Sequence, residues 1–144
     1  MPVKNVEVSA EMKEGTLIEC RAGAHTFLID QNKAGGGNDQ GPSPLEYYLA
    51  SLAGCVASIG RIVARQKNMT LRGMSIKTVG EINTDVLLGR STSERAGFKV
   101  FNLTVAIDAD LTHEQKREFL EEVERRCPVS ENTTNPSLVK LTLV

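Results

Sequence analysis

The residues from 43 to 66 constrain the fold more than any other part of this sequence. Ser43, Pro44 and Glu46 form a helix start, because serine can cap a helix, proline suits its first turn and glutamate three residues later closes a capping box. Apolar residues then recur at spacings of four and three, the period of an α-helix. They are Leu45, Leu49, Leu52, Val56, Ile59 and Val63. We therefore predict a core helix from Pro44 to about Gln66.

The cysteines and the N-terminus indicate the cellular compartment. The three cysteines, Cys20, Cys55 and Cys127, form no CxxC pair, and their odd number does not suit the paired disulfide framework of a secreted protein. Residues 1–7 contain no apolar stretch typical of a signal peptide. The longest uncharged run, Tyr47 to Gly60, is shorter than the roughly 18 residues that suggest a membrane span. We predict a cytoplasmic protein with reduced thiols.

Length, composition and charge exclude several classes of protein. A chain of 144 residues that is 40% apolar and 24% charged is typical of one soluble globular domain, which we assign to residues 1–144. The 17 basic and 18 acidic residues give a net charge of −1, so the chain lacks the charge excess of a nucleic-acid or membrane binder. An aromatic content of 4% without tryptophan argues against base stacking.

Short apolar patterns predict strands on both sides of the helix. Three short antiparallel strands are predicted before it, followed by a glycine-rich loop from Asn32 to Ser43. The apolar residues of these strands are Val3, Val6, Val8 and Ala10, then Leu17, Ile18 and Cys20, then Phe27 and Leu28. After the helix, residues 74–82 and 98–107 predict two longer strands, separated by a mostly polar stretch from 83 to 97.

The last part of the chain predicts a second helix and a final strand. Thr112 and Gln115 form another capping box before an apolar helical face, and Pro128 is expected to stop that helix after Cys127. The face consists of Phe119, Leu120, Val123 and Cys127. The alternation from Leu138 to Val144 predicts the strand. The predicted order is βββ-α-ββ-α-β, which places the chain in the α+β class with antiparallel sheets around a central buried helix.

Two of the cysteines can be interpreted either as packing residues or as reactive thiols. Cys55 lies at the edge of the apolar stripe, where a free cysteine packs as a small apolar residue. It lies too far from the start of its own helix to be activated by the helix dipole, so a nucleophilic thiolate there needs a cation or donor from elsewhere in the fold. Cys127 closes the second helix, where the negative helix end disfavours a thiolate unless Arg125 and Arg126 offset it, which favours a resolving thiol. Cys20, in a strand, is interpreted as a core or sheet residue.

Two motifs in this sequence resemble a known family, the OsmC/Ohr proteins, which are osmotically inducible and organic hydroperoxide resistance proteins. The motifs are Pro44-Leu45-Glu46 followed by Leu49-Ala50-Ser51-Leu52-Ala53-Gly54-Cys55, and later Arg126-Cys127-Pro128-Val129-Ser130. The resemblance covers nearly the whole chain, because the N-terminal strands, the strand from Ala96 and the acidic helix before Cys127 fall in the family order. It implies the OsmC-like fold and an intertwined homodimer, with two central helices back to back and sites at the subunit boundary.

The resemblance also implies a reaction. It implies a cysteine-based, thiol-dependent peroxidase that reduces organic or inorganic hydroperoxides in defence against oxidative stress. By the match, Cys55 is the peroxidatic cysteine, and Cys127 is the resolving cysteine that condenses with its sulfenic acid to a disulfide. The implied reductant is a small dithiol or a lipoyl protein, and no metal or organic cofactor is expected. The lack of a CxxC or HExxH motif agrees with this expectation.

The sequence departs from the family hydroperoxidases at the residues that support the peroxidatic thiolate. Family members place a glutamate directly after the helix-opening proline, where it holds an arginine over the thiolate; here that position is Leu45. Glu46 is the nearest carboxylate and has a capping role of its own. Lys13 stands where the arginine is expected, and Arg21 is a possible substitute. The departures place the chain nearer to the OsmC-like branch than to the dedicated hydroperoxidases and predict weak peroxidase activity.

Two further interpretations stay open. In the first, the chain is a non-enzymatic OsmC-like dimer that binds a small apolar or thiol-reactive ligand, or senses redox state through its cysteines. In the second, ranked last, it is a purely structural dimer. His25, at a hairpin edge, is interpreted as an exposed or hydrogen-bonded imidazole rather than as a general base. His113 is interpreted as a surface residue.

Overall fold

In the computed structural model, which describes residues 1–144, the chain divides into two units, Met1–Tyr48 and Leu49–Val144. The first unit holds an antiparallel sheet of three strands in the order β1-β2-β3. The strands are β1 (Ser9–Met12), β2 (Ile18–Ala22) and β3 (His25–Ile29). Cys20 of β2 lies opposite Ala10 on one side and Phe27 on the other. The three predicted N-terminal strands are therefore confirmed.

The first strand begins later than its apolar pattern predicts. Its pairing starts with Ser9 opposite Arg21, so an earlier residue would have to pair at or beyond Ala22, the last residue of β2. The chain turns there at Gly23, whose φ of +58° suits glycine, and β2 gives way to β3. Residues 3–8 therefore have no ladder partner and are exposed, and the prediction of a strand through them was wrong.

The loop after β3 is organised by a buried carboxylate. Asp30 is 1% exposed and accepts four hydrogen bonds. Its donors are the Thr16 hydroxyl at 2.6 Å and the backbone N–H groups of Gln31 at 2.8 Å, Asn38 at 3.2 Å and Gln40 at 3.1 Å. These bonds, the Thr16 hydroxyl first among them, hold the pKa of Asp30 below its usual value against the opposing effect of burial. The glycine-rich loop thus folds around the Asp30 carboxylate, which its backbone N–H groups help to hold.

We expect the first unit to lose stability in acid through Asp30. Because the pKa of Asp30 is lowered in the folded state, its stabilising effect is fully present above the usual value of 3.8 and is lost as the pH falls through the lower folded value. Asp30→Asn should lower the Tm by several degrees at pH 7 and make the Tm less sensitive to acid below pH 4. Thr16→Val, which removes one donor of four, should have a smaller effect. Thermal unfolding of the three proteins at pH 7 and below pH 4 measures these differences in Tm. An unchanged Tm for Asp30→Asn at pH 7 would contradict the role of Asp30.

The second unit contains most of the predicted long helix. Helix α1 runs from Pro44 to Gln66, with the bounds that the sequence predicts, and its residues from Leu49 onward belong to this unit. Strands β4 (Leu71–Ile82) and β5 (Phe98–Ala109) pair as an antiparallel ladder. Both predicted strands are confirmed and extend beyond the predicted residues at one end.

The core of the second unit brings α1, this ladder and a further helix together. Helix α3 (His113–Arg126) begins with the predicted capping box of Thr112 and Gln115. The buried cluster takes residues from α1, from both strands and from α3. It consists of Val56, Val63, Ala64, Leu71, Ala109, Phe119, Val123 and Cys127. The predicted apolar faces of α1 and α3 are thus the faces that meet in the core.

The apolar character of α1 follows from this packing. By length and composition alone, α1 is apolar enough to cross a membrane, a criterion that core helices also meet. It carries the charged residues Arg61 and Arg65 on its exposed side, while Val56 and Val63 lie in the core. The prediction of a core helix agrees with its buried face.

Three elements differ from the predicted order. Helix α2 (Thr84–Leu87) forms in the polar stretch, where the Asn83 side chain accepts the Asp85 N–H at 2.9 Å and caps it. Pro128 follows the end of α3, as predicted, but it also begins a helix that was not predicted, α4 (Pro128–Thr134), because a proline at the first helical position loses no hydrogen bond. Residues 138–144 form no strand and are exposed, since no neighbouring strand pairs with their backbone. The final strand was a wrong prediction.

Candidate active site

Cys55 lies in the middle of α1 at the edge of its buried face. Its neighbours Leu52 and Val56 are 3% and 4% exposed, while the Cys55 side chain is half-buried and packs against the core cluster. The helix that carries it begins with the predicted capping box: the Ser43 backbone N–H donates to the Glu46 carboxylate at 2.7 Å. Cys55 is therefore held on a rigid, capped element, with a sulfur that is only partly withdrawn from solvent.

Cys127 lies at a junction that the sequence did not predict. It follows α3 and is also the N-cap of α4, and its sulfur accepts the Ser130 N–H at 3.4 Å. The prediction placed Cys127 only at the negative end of α3, with Arg125 and Arg126 as offsetting charges. Instead a helix start donates to the sulfur, and Arg126 pairs with Glu122 at 3.4 Å. Cys127 is 1% exposed, so this thiol is buried and hydrogen bonded.

The fold brings these two cysteines together. Cys55 packs against the cluster that contains Cys127, and the Cys55 and Cys127 side chains form a hydrogen bond. Burial raises the pKa of the Cys55 thiol above its usual value of 9.0, and the Cys127 side chain raises it further. The Val129 N–H donates to the Cys55 sulfur and opposes this rise. Each sulfur thus receives one backbone N–H from the first turn of α4, and the raised pKa keeps the resting Cys55 thiol protonated at neutral pH.

The three other predicted site residues are engaged in contacts of their own. Glu46 accepts the backbone N–H and the hydroxyl of Ser43 at 2.7 and 2.8 Å, which is the capping role predicted for it. These bonds lower the pKa of Glu46, so it stays a carboxylate at neutral pH. Lys13 pairs with Glu11 at 2.9 Å, and Arg21 pairs with Glu19 at 3.1 Å. Their proposed contacts with the thiolate stay predictions.

The remaining cysteine and the histidines lie in ordinary positions. Cys20 is 2% exposed within β2, as its interpretation as a sheet residue predicts. His25 begins β3 and His113 begins α3, and both are exposed. The chain contains no group of three or more histidine, cysteine or acidic side chains placed to hold a metal ion.

A cavity in the second unit adjoins the elements that carry the cysteines. It has a volume of about 510 Å³ and is lined by apolar residues of α1, β5 and α3 and by polar residues of α4. Leu52 and Val56, the buried neighbours of Cys55, form part of its wall. Arg95 and Lys99 supply positive charge, and Glu124 supplies negative charge. The apolar alternation along β5 indicates one apolar wall, but the cavity itself depends on how α1, β5, α3 and α4 meet.

These features define a class of protein: an α+β fold in which a long central helix and a pair of short C-terminal helices bring two cysteines together. Residues 36–142 match the family model of the OsmC-like proteins. The chain belongs to the OsmC-like protein family. The resemblance predicted from the two cysteine motifs is therefore confirmed.

Solved structures show the same fold. An OsmC-like protein from Mycoplasma pneumoniae aligns with a TM-score of 0.80 at 21% identity, over 92% of this chain and 89% of that chain. An organic hydroperoxide resistance protein from Elizabethkingia anophelis aligns with a TM-score of 0.71 at 19% identity, over 94% and 91%. One from Legionella pneumophila aligns with a TM-score of 0.63 at 19% identity, over 91% and 90%. A search of curated proteins finds no match.

Proposed function

We propose that this chain is a thiol-dependent peroxidase that reduces organic or inorganic hydroperoxides in the cytoplasm. Cys55 is the peroxidatic cysteine and Cys127 the resolving cysteine. The observation that carries the proposal is the meeting of these two thiols, which come from distant parts of the sequence, in one hydrogen-bonded site. Membership of the OsmC-like family, and the likeness of the fold to organic hydroperoxide resistance proteins, support the same reaction.

The oxidative half of the proposed reaction needs only the two cysteines and the hydroperoxide. The Cys55 thiolate attacks one peroxide oxygen, the O–O bond breaks, and the alcohol leaves with a proton, so that Cys55 becomes a sulfenic acid. The Cys127 sulfur then attacks the Cys55 sulfur, a disulfide forms and water leaves. A dithiol or lipoyl protein returns two electrons and two protons to restore both thiols.

The burial of the two sulfurs fits these two roles. Cys55 is half-buried, so a small hydroperoxide can reach its sulfur, whereas Cys127 is 1% exposed and interacts with the Cys55 side chain from within the core. The Val129 N–H that donates to Cys55 stabilises negative charge as the thiolate forms. This donor is the group from elsewhere in the fold that the sequence required for a reactive Cys55. The raised pKa of Cys55 agrees with the weak activity expected from the departures at Leu45 and Lys13.

Mass spectrometry of the peroxide-treated protein tests the proposal. One equivalent of cumene hydroperoxide should convert the reduced chain into a species lighter by two hydrogen atoms, with Cys55 and Cys127 joined within one chain. Peptide mapping identifies the joined residues. Modification of Cys20 with Cys55 left as a thiol would overturn the assignment of the nucleophile.

The proposal includes a homodimer, which the family resemblance implies. In the single chain, the exposed face of α1 carries the small residues Ser51, Gly54 and Ser58, and Ile62 beside them is 42% exposed. A side chain added at Gly54 meets no atom within 4 Å. A second copy of α1 could therefore approach this face closely, and it would cover the exposed isoleucine.

Gly54→Arg should weaken dimerisation by at least about 100-fold, because two copies of the new charge meet at a close helix contact. The single chain has open space at this position, so the variant should keep its helical content. Sedimentation at micromolar concentration measures the effect, and Glu118→Arg on the exposed side of α3 is the matched control. A wild-type chain that sediments as a folded monomer would refute the dimer.

The cavity supports a second candidate function. Its volume of about 510 Å³ lies within the range of small-molecule sites, and its walls combine apolar side chains with polar and charged ones. In this alternative, the chain is a non-enzymatic dimer that binds a small apolar or thiol-reactive ligand or senses redox state. Native mass spectrometry of the purified protein separates the two functions: a retained ligand together with no reaction of Cys55 with hydroperoxide favours binding.

A further inference from the structure

We propose that the oxidation state of the two cysteines controls the order of helix α4: the reduced Cys127 side chain caps this helix, and a Cys55–Cys127 disulfide releases the cap. The inference rests on the cysteine pair of the proposed function, but it holds for any oxidant that joins the two sulfurs.

Cys127 supplies the N-cap of α4. The Cys127 sulfur accepts the Ser130 N–H at 3.4 Å, and its backbone carbonyl accepts the Glu131 N–H at 3.0 Å. Helix α4 has 7 residues, so nearly all of its backbone groups lie in its first or last turn. Such a short helix is marginal without its caps and its packing. Changing the side chain at the N-cap therefore affects the whole helix.

Oxidation alters this cap through known bond chemistry. Two thiols give up two electrons and two protons, an S–S bond forms, and the oxidant is reduced: a hydroperoxide to an alcohol and water, or a diazene to a hydrazine. The new bond of about 2.05 Å and its preferred dihedral near 90° fix where the Cys127 sulfur lies. The Ser130 N–H thus loses its acceptor.

The adjustment falls on α4 because the two cysteines differ in their surroundings. Cys55 lies inside the 23-residue helix α1, between two buried residues of its core face. Cys127 is the single residue between α3 and α4, and its φ and ψ of −82° and 108° lie outside the helical range. Rotation at this junction breaks fewer backbone hydrogen bonds than displacement of α1. The disulfide therefore pulls on the Cys127 junction.

Release of α4 has a consequence for turnover. Ser130, Thr133 and Thr134 of α4 line the cavity, so a loosened α4 opens one of its walls. Cys127 is 1% exposed in the reduced chain, whereas a reductant must reach a disulfide sulfur to attack it. Loosening of α4 thus admits the reductant when the disulfide is present. When the disulfide is absent, the ordered α4 keeps the two thiols covered.

Hydrogen exchange measured by mass spectrometry on the full chain tests the inference. The reduced protein is compared with protein oxidised by diamide, a diazene, with the Cys55–Cys127 bond verified by peptide mass. Amides in residues 129–135 should exchange about five- to tenfold faster in the oxidised form, the size of effect that a lost cap produces, while those of β4 and β5 should not change. Equal exchange in the two forms, or failure of diamide to form the bond, would overturn the proposal.

Two variants separate the cap from other effects of oxidation. Cys127→Ser supplies a better N-cap that cannot form the bond, so α4 should be protected at least as well as in the reduced wild type, with or without diamide. Cys55→Ser keeps the Cys127 cap and should also be insensitive to diamide. A response in Cys55→Ser would overturn the mechanism. If diamide loosens α4 but hydroperoxide forms no disulfide, the peroxidase proposal fails while this inference stands.

Discussion

Cys55→Ser is expected to lower the second-order rate of hydroperoxide reduction by at least about 10³-fold, the scale seen when a catalytic nucleophile is removed. A serine hydroxyl stays protonated at neutral pH and forms no sulfenic acid, so the first step of the reaction is lost. Stopped-flow mixing with cumene hydroperoxide, followed by thiol titration, measures the rate. Cys127→Ser should instead react once and retain a sulfenic acid at Cys55.

The matched control for this result is Cys20→Ala. Cys20 is buried in β2 and has no step in the proposed reaction, so its removal should leave the rate of Cys55 oxidation unchanged. The wild-type rate should also rise about tenfold per pH unit near neutrality and continue to rise beyond pH 9, because the pKa of the Cys55 thiol is raised above 9.0 and only the thiolate reacts. A rate that is flat above pH 7 would show that another group activates Cys55. A Cys55→Ser variant that reacts at the wild-type rate would show that Cys55 is not the nucleophile.

Phe119→Ala is expected to lower the free energy of unfolding by about 3–5 kcal/mol, as truncation of a buried aromatic residue commonly does. Phe119 is 4% exposed and lies in the core cluster beside Val63 and Val123. Its loss leaves a cavity where α3 meets the rest of the second unit. Urea unfolding followed by circular dichroism gives the free energy.

Leu120→Ala is the control on the same helix. Leu120 is only half-buried and lines the cavity described above, so its truncation leaves less new empty space and should cost about half as much as Phe119→Ala. An equal loss for the two variants would show that the packing of α3 does not depend on the phenylalanine.

Local signals account for the elements that could be predicted. The capping boxes at Ser43 and Thr112 satisfy backbone groups within a few residues, and the apolar stripes of α1 and α3 follow the helical period. The strands β4 and β5 follow from apolar alternation in the same way. Such features depend on neighbours along the chain, so they are visible without the fold.

The errors arise where a distant or competing partner decides the outcome. Alternation in residues 138–144 matches a strand, but a strand forms only beside another backbone that completes its hydrogen bonds. Pro128 ends α3 as predicted, yet it is equally suited to begin a helix, and the packing of Val129 against the core decides in favour of α4.

The candidate site shows the same division. Residue patterns were enough to predict the helix that carries Cys55, the placement of Cys127 at a helix end and, through the two cysteine motifs, membership of the OsmC-like family. Three features depend on packing between distant segments: Cys127 caps a second helix, two N–H groups of that helix reach the two sulfurs, and burial raises the pKa of Cys55. The reason is that periods and caps act over a few residues of one chain segment, whereas the charge state of a thiol depends on every group that the fold places around it.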